Sequence, residues 1–457
     1  MFLRWTYSEV PPAKTLGVND LVVPWDGSAT SLLESARKQG YAVYLEATAE
    51  QASAAAEAGK NSAAGVLLKV SPSEQTDIDT TVRTLRLRYP KLTFLILNPT
   101  GKQPQMRGTL VLNKNGILEV SSPTAQPWLD TNLALVRIEQ AFRPGQVPLY
   151  SFQWELIDSL QKLQGPNAED YLLAVAEAGA FHADLVLSLH ENLQKALAQN
   201  DRDGINLWKQ MRRYLEFYSR RTPPVEPAAN IGILAGDYKK SYEPINLLAR
   251  HNIPFRILRP SEQTAVRLKE FDMMVVLASA TQQNVKLITD FASRGGIAIV
   301  VDSSGSYPWQ SAKRIQTGDH SVAYAVGKGR IIELTEAVPD PETFAQDIRR
   351  LMDKQKVLIS LWNALTTVAV PYREPHAGVT MLELVNYAEE PLRVQVQIKG
   401  SFHSIRYETP ERGCCESLTP VQRNGFTEFV IPDLRVGGRV HLKEARAGEP
   451  HTPASAK

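Results

Sequence analysis

Cysteine, charge of one sign, long apolar runs and paired histidines are all scarce in this chain of 457 residues, and each scarcity removes a class of function. Cysteine occurs only as the neighbours Cys414 and Cys415, so neither a disulfide scaffold nor a zinc site built on paired CxxC motifs is available. Adjacent cysteines can close only a strained ring, and two inert thiols are the expected reading. The 51 Lys and Arg residues face 49 Asp and Glu, a net charge of +2. That balance argues against a dedicated nucleic-acid or anionic-membrane binder. No run of about 18 apolar residues occurs, so no transmembrane helix is expected. The opening MFLRWTYSEVPPAK lacks the apolar run of a signal peptide, and both a cytosolic chain and a mature secreted or periplasmic one stay open. The 8 His include no i,i+3 or i,i+4 pair and no HExxH, so no metal ligand set is expected. Neither a Walker loop nor a GxGxxG after a strand is present, so no cofactor is expected; GKGR at Gly327–Arg330 precedes a strand and reads as a hairpin turn. No repeat of solenoid period is evident.

What is present is ordinary globular material. Hydrophobic residues make up 43% and charged residues 22%, with 27 Gly and 29 Pro, which excludes disorder, collagen and coiled coil as overall descriptions. At roughly 150 residues per domain the length predicts about three domains. The first 224 residues alternate aliphatic or β-branched runs with helical patterns. The runs are Phe2–Tyr7, Leu21–Trp25, Tyr41–Leu45, Gly65–Val70, Leu92–Leu97, Ile117–Ser121, Pro148–Trp154 and Asp184–Leu189. Eight strands separated mostly by helices is the count of a (β/α)8 TIM-like barrel over residues 1–224, with an open doubly wound sheet as the alternative. Asn115-Gly116 is a tight-turn signal, so TLVLNKNGILEV also reads as the start of a hairpin.

The Pro-rich Arg220–Asn230 is a linker. Residues 229–355 resume strand–helix alternation (NIGILAG, YEPINLLARHN, PFRILRP, FDMMVVLAS), which predicts a small flavodoxin-like parallel α/β domain. Residues 356–446 switch to period-two runs about ten residues apart, an antiparallel β-sandwich. The polar tail 447–457 is expected to be disordered.

Barrel, small α/β domain, then sandwich resembles the order found in β-galactosidase-type glycoside hydrolases, which carry a trimerisation domain behind the catalytic barrel. Leu287–Val301, LITDFASRGGIAIVV, looks like the helix-Gly-Gly-strand passage of that trimerisation domain, itself similar to class I glutamine amidotransferases. The stretch VVLASATQQN stands where the amidotransferase nucleophile elbow would be and holds no Cys, so a thiolate mechanism is absent there. VTMLELVNYAEEPLRVQV is similar to the accessory sandwiches of glycosidases. The resemblance implies a carbohydrate ligand and leaves open a homo-oligomer formed through the α/β domain, while the charge balance and the lack of a long apolar run argue for neither nucleic acid nor membrane as partner.

Glycoside hydrolysis needs two carboxyl groups flanking one bond, and a barrel presents them at the C-terminal ends of its strands. Glu155 ends the seventh run after Trp154. The resemblance implies a nucleophilic Glu at that position, whereas its plain reading is a helix-N-terminal Glu opening ELIDSLQKLQ. The resemblance also implies an acid/base Glu at the end of strand four, where this chain has Lys69 and Ser71, with Glu74 further on. Asp26 and Glu46, at the ends of the second and third runs, are the substitutes, and each equally reads as a residue preceding a helix. For sugar stacking, Trp5, Trp25, Trp128 and Trp154 fall at or just past strand ends, four of the 7 Trp, though Trp is also an ordinary core residue. Arg4 is expected to point into the mouth and pair with a carboxylate. His190 and Glu191 close the eighth run, where a His is more often a hydrogen-bonded wall residue than a ligand. The leading expectation is therefore a glycoside hydrolase-like protein. A non-catalytic glycan binder or scaffold on a degenerate barrel is the competing one.

Overall fold

The computed structural model describes residues 1–27, 30–70, 78–99, 105–106, 111–114, 117–120, 131–154, 165–220, 225–236, 238–260, 267–278, 281–301, 305–317, 320–334, 341–375 and 377–444. The chain divides into two compact units, Met1–Pro127 with Leu135–Arg221, and Trp128–Ala134 with Thr222–Lys457.

The first unit is a closed parallel barrel. Its strands are Phe2–Arg4, Asp20–Pro24, Ala42–Thr48, Gly65–Lys69, Thr93–Leu97, Leu149–Ser151 and Asp184–Ser188, adjacent in chain order, with the last pairing back onto the first. The sequence pattern reads as eight strands, and among the described residues seven close the barrel. The difference is Ile117–Val120, which pairs antiparallel with Val111–Lys114. Only two residues of sequence separate these paired strands, too few for the crossover a parallel strand needs. The turn signal therefore outweighs the β/α alternation there.

Alternation along each strand sorts the side chains into two layers. In Ala42–Thr48, Val43, Leu45 and Ala47 are buried on one face while Tyr44 and Glu46 lie on the other. The interior is filled by Val22, Leu67, Leu97, Leu149 and Val186, with Phe2, Tyr44 and Leu95 packed against them. Phe2 and Tyr44 meet edge to face at 5.1 Å, which closes the floor. The outward face takes the helices. Arg202–Ser219 is capped by Asp201, whose carboxylate accepts from the backbone N–H of Asp203 and Gly204 at 3.0 Å. It buries Trp208, whose indole donates to the Leu16 carbonyl at 2.9 Å.

One seam is short. Thr93–Leu97 and Leu149–Ser151 meet only where Leu97 faces Leu149. Asn98, in the left-handed region at φ 51°, lengthens it with its side chain: Oδ1 accepts from Ser151 N–H at 3.1 Å, and Nδ2 donates to Ser151 Oγ at 3.4 Å.

The second unit contains a seven-stranded sheet in the order Phe255–Leu258, Ile231–Leu234, Met273–Val276, Ile297–Val300, Gly329–Leu334, Ser321–Val326, Arg314–Thr317. The first five are parallel and the last two antiparallel. Ser321–Val326 and Gly329–Leu334 form the hairpin that GKGR signals, with Val326 facing Gly329. Two antiparallel sheets follow, one of six strands and one of four, and their inner faces share a single core that includes Leu382, Leu384, Val394, Val396, Ile431 and Val440. Asn252 ties the parallel sheet's helical layer to the strand Thr367–Arg373, donating to the Thr367 carbonyl at 2.8 Å and accepting from Ala369 N–H at 2.7 Å. Contrary to the two-thiol reading, Cys414 and Cys415 are joined by a disulfide. The expected tail 447–457 lies outside the described residues.

Candidate functional site

The interior face of the barrel ends, on the C-terminal side, in polar groups set above an apolar floor. By alternation from the core layer, Arg4, Glu46, Lys69, Ser151 and Ser188 belong to this upper layer. Arg4 and Glu46 come from strands on either side of Asp20–Pro24, yet the Arg4 guanidinium reaches across to bond Glu46 through Nε and Oε2 at 2.5 Å. The pair is partly shielded, with side chains 29% and 10% exposed. Tyr44 lies one layer below, and burial, with the Asp20 carboxylate adding to it, pushes its phenol above the usual tyrosine range. It is therefore a neutral hydrogen-bonding group. A ring of charge and hydroxyl over a hydrophobic base suits a polyhydroxylated ligand better than an apolar one.

Beyond the backbone pairing of the first and last strands, one buried amide ties the segments that follow them at the mouth. Gln194, 2% exposed on the helix Glu191–Ala198, accepts through Oε1 from the N–H groups of Thr6 at 2.8 Å and Tyr7 at 2.9 Å. Its Nε2 donates to the Leu189 carbonyl at 2.7 Å. The loop after the first strand, just past Arg4 and Trp5, thus hangs on the helix after the last.

The expected site residues are distributed unevenly. Arg4 and Glu46 are brought together as described. Asp26 is exposed beyond Trp25; Trp25 is half-buried and its N–H donates to the Glu46 carbonyl at 2.8 Å, which sets the second strand end beside the third. Trp5 is fully buried and spends its indole N–H on the Glu9 carbonyl at 3.0 Å, a packing position with no free ring face. His190 is the N-cap of Glu191–Ala198, its Nδ1 3.4 Å from Asn192 N–H, while its own N–H donates to the Tyr171 hydroxyl at 2.9 Å. Glu191 is exposed in that helix's first turn, where its charge complements the helix dipole. Trp154 pairs in a short parallel ladder with Met106. Glu155, Trp128, Ser71 and Glu74 lie outside the described residues. Gly165, at φ 83°, packs so tightly on His190 that a Cβ there would stand 2.4 Å from the ring. Gln194, Asn98 and Ser151 were not singled out by sequence patterning. The signal available for Gln194 was its place on the buried stripe of an amphipathic helix, where a polar residue needs partners.

A groove of about 1020 Å³ opens elsewhere on this unit. Phe2, Pro148, Leu149 and Asp184 line it, together with Arg86 and Leu87 of the helix Ile78–Arg88. These mark the N-terminal ends of the barrel strands and the short seam, away from the side where parallel barrels place their chemistry.

The fold is glycosidase-like. No family model matches the chain, and no curated protein matches it in sequence. Among solved structures it is similar to an α-L-fucosidase isoenzyme 2 from Paenibacillus thiaminolyticus at 10% identity and TM-score 0.59, covering 97% of this chain and 99% of that one. It is also similar, at TM-score 0.42 and 11% identity, to a β-galactosidase from Bacillus circulans sp. alkalophilus, covering 91% of this chain and 67% of that one. An exo-β-1,4-mannosidase from Opitutaceae bacterium strain TAV5 follows at TM-score 0.45 and 12% identity, covering 77% and 96%.

Proposed function

We propose that this chain is a glycoside hydrolase-like, carbohydrate-active protein that takes an oligo- or polysaccharide at the barrel mouth and cleaves it between paired carboxylates. The observation that carries the reading is the placement of Glu46 with Arg4 in the upper layer of a closed barrel, on a chain whose fold follows a fucosidase along 97% of its length. Glu155 acts as nucleophile, with Glu46 or Asp26 as second carboxylate, and Trp25, Trp128 and Trp154 supply stacking faces. Residues 1–224 are assigned as a TIM-like barrel whose described strands close at seven, 229–355 as a flavodoxin-like, amidotransferase-related domain through which the chain self-associates, and 356–446 as a β-sandwich. The 2-1-3-4-5 order of the five parallel strands supports the middle assignment, and the core shared by two antiparallel sheets supports the last.

A second reading, a glycan-binding barrel without hydrolysis, is favoured by two particulars. The fourth strand ends in Lys69 where an acid/base Glu would stand, and Arg4 already engages Glu46. The test is hydrolysis of a panel of aryl glycosides, α-L-fucosides first, and polysaccharides by wild type and Glu155→Gln. Turnover lost in the variant, with circular dichroism unchanged, supports the enzyme. Turnover that survives removes Glu155 from the mechanism. Glycan binding by both proteins with no turnover supports the second reading.

A further inference from the structure

The disulfide between Cys414 and Cys415 closes no loop of chain, so it contributes none of the unfolded-state restriction by which disulfides usually stabilise. Its sulfurs are therefore chemically spare, and their surroundings are built. Both lie on Gly413–Leu418, the terminal strand of the six-stranded sheet, Cys414 exposed and Cys415 half-buried. On the neighbouring strand Tyr407 faces Glu416 and Thr409 faces Gly413, so Glu408 alone opposes the two cysteines in a β-bulge. Gly413, at φ 73°, lets the chain enter that bulge. Glu408 is 6% exposed, and its Oε1 lies 2.9 Å from His441 Nε2 and 3.5 Å from Arg439 Nη1. A Glu408 carboxylate oxygen and both Sγ atoms all fall within 4.8 Å of one another. Arg406 Nη2 stands 3.3 Å from Cys414 Sγ.

We infer that Cys414, Cys415 and Glu408 form a redox-gated site for a thiophilic divalent cation, closed as the disulfide and open as the dithiol. A dithiol reductant opens it: two electrons and two protons pass to the cysteine sulfurs while the reductant's own thiols close into a disulfide. A cation then binds both sulfurs and displaces both protons to solvent. Two thiolates and one carboxylate are a ligand set that zinc or cadmium accepts, with water completing a tetrahedron. The Arg406 guanidinium favours thiolate at Cys414. His441 and Arg439 hold Glu408 from behind, so the carboxylate is presented without rearrangement.

The probe is cadmium chloride on the full chain. Because the sequence holds no other cysteine, a chromogenic aryl disulfide should count no thiols before native reduction and two afterwards. Reduced wild type should then bind one cadmium ion, seen calorimetrically and as thiolate-to-cadmium absorption, with about two protons released per ion. The oxidised chain and Cys414→Ser/Cys415→Ser should not bind. Glu408→Gln should weaken binding about tenfold or more. The absorption band reports the sulfurs directly, so the test stands even if Glu408→Gln folds poorly. Two thiols titrating without reductant would overturn the gating. Binding by reduced wild type no tighter than by the double serine variant would overturn the site.

Discussion

Gln194→Ala should loosen the barrel just beyond the ladder that joins its first and last strands. The amide oxygen accepts from two backbone donors and the amide nitrogen caps one carbonyl. Alanine removes these three bonds, and the amide's contacts with the Thr6 hydroxyl at 3.2 and 3.4 Å, from a position only 2% exposed. Each buried group left without a partner costs about 1–3 kcal/mol. Thr6 is exposed and can take a water, so its N–H costs little, whereas the Leu189 carbonyl and the Tyr7 N–H lose more. A total near 2–3 kcal/mol follows, which at roughly 2–4 °C per kcal/mol for a unit of this size is a fall of about 4–12 °C in its Tm. Gln194→Glu keeps the acceptor for Thr6 and Tyr7 but buries a carboxylate whose second oxygen faces the Leu189 carbonyl, so its loss should be at least that of alanine. The assay is scanning calorimetry of the full chain, reading the transition that moves. A change under about 0.5 kcal/mol for Gln194→Ala would refute the reasoning, since that is the scale of an ordinary surface substitution.

Gly165→Ala should destabilise the same unit and displace His190, because the new Cβ meets the ring at 2.4 Å from a left-handed backbone at φ 83°; calorimetry together with the His190 imidazole NMR signals checks this, and an unmoved resonance contradicts it. Asn98→Ala should cost about 2–3 kcal/mol, through the Ser151 N–H left unpaired and a φ of 51° that alanine disfavours, while Asn98→Gly should cost less. Equal urea midpoints for the two variants would be the contrary result. In the six-stranded sheet, burial pushes the Glu383 carboxyl up to about 7 while Arg439, at 2.6 Å, pulls the other way. The native state thus keeps a proton that the unfolded chain has released. The stability it contributes is fully present below the ordinary carboxylate value and is lost as pH rises through about 7. Glu383→Gln should therefore flatten the decline in urea stability across that window, and an unchanged slope would contradict the assignment.

Local pattern made much of the fold legible. Seven of the eight barrel runs are barrel strands because β-branched and aliphatic clusters between helical patterns have few other homes. LITDFASRGGIAIVV becomes the helix Gln282–Ser293 and the strand Ile297–Val300 on either side of its glycine pair. The expected hairpin at TLVLNKNGILEV was also legible, and it accounts for the strand count. Other features depend on three-dimensional neighbours that no spacing encodes. Trp5 looks like a mouth residue by position, yet the loop carrying Glu9 folds over its indole. That an inward Arg4 needs a carboxylate follows from alternation and desolvation; that Glu46 supplies it follows from the order in which the first three strands pair. The disulfide at Cys414–Cys415 arises from a bulge set by the register of a neighbouring strand, which one sequence does not reveal.

The central claim, that the barrel mouth is a carbohydrate site, is tested most directly by calorimetric titration of wild type, Glu46→Gln and Lys69→Ala with a panel of mono- and oligosaccharides, the fold of each checked by circular dichroism. The account predicts that at least one sugar binds wild type and that both substitutions weaken it by tenfold or more. Sugar binding left unchanged by both substitutions, or none across the panel, would contradict it.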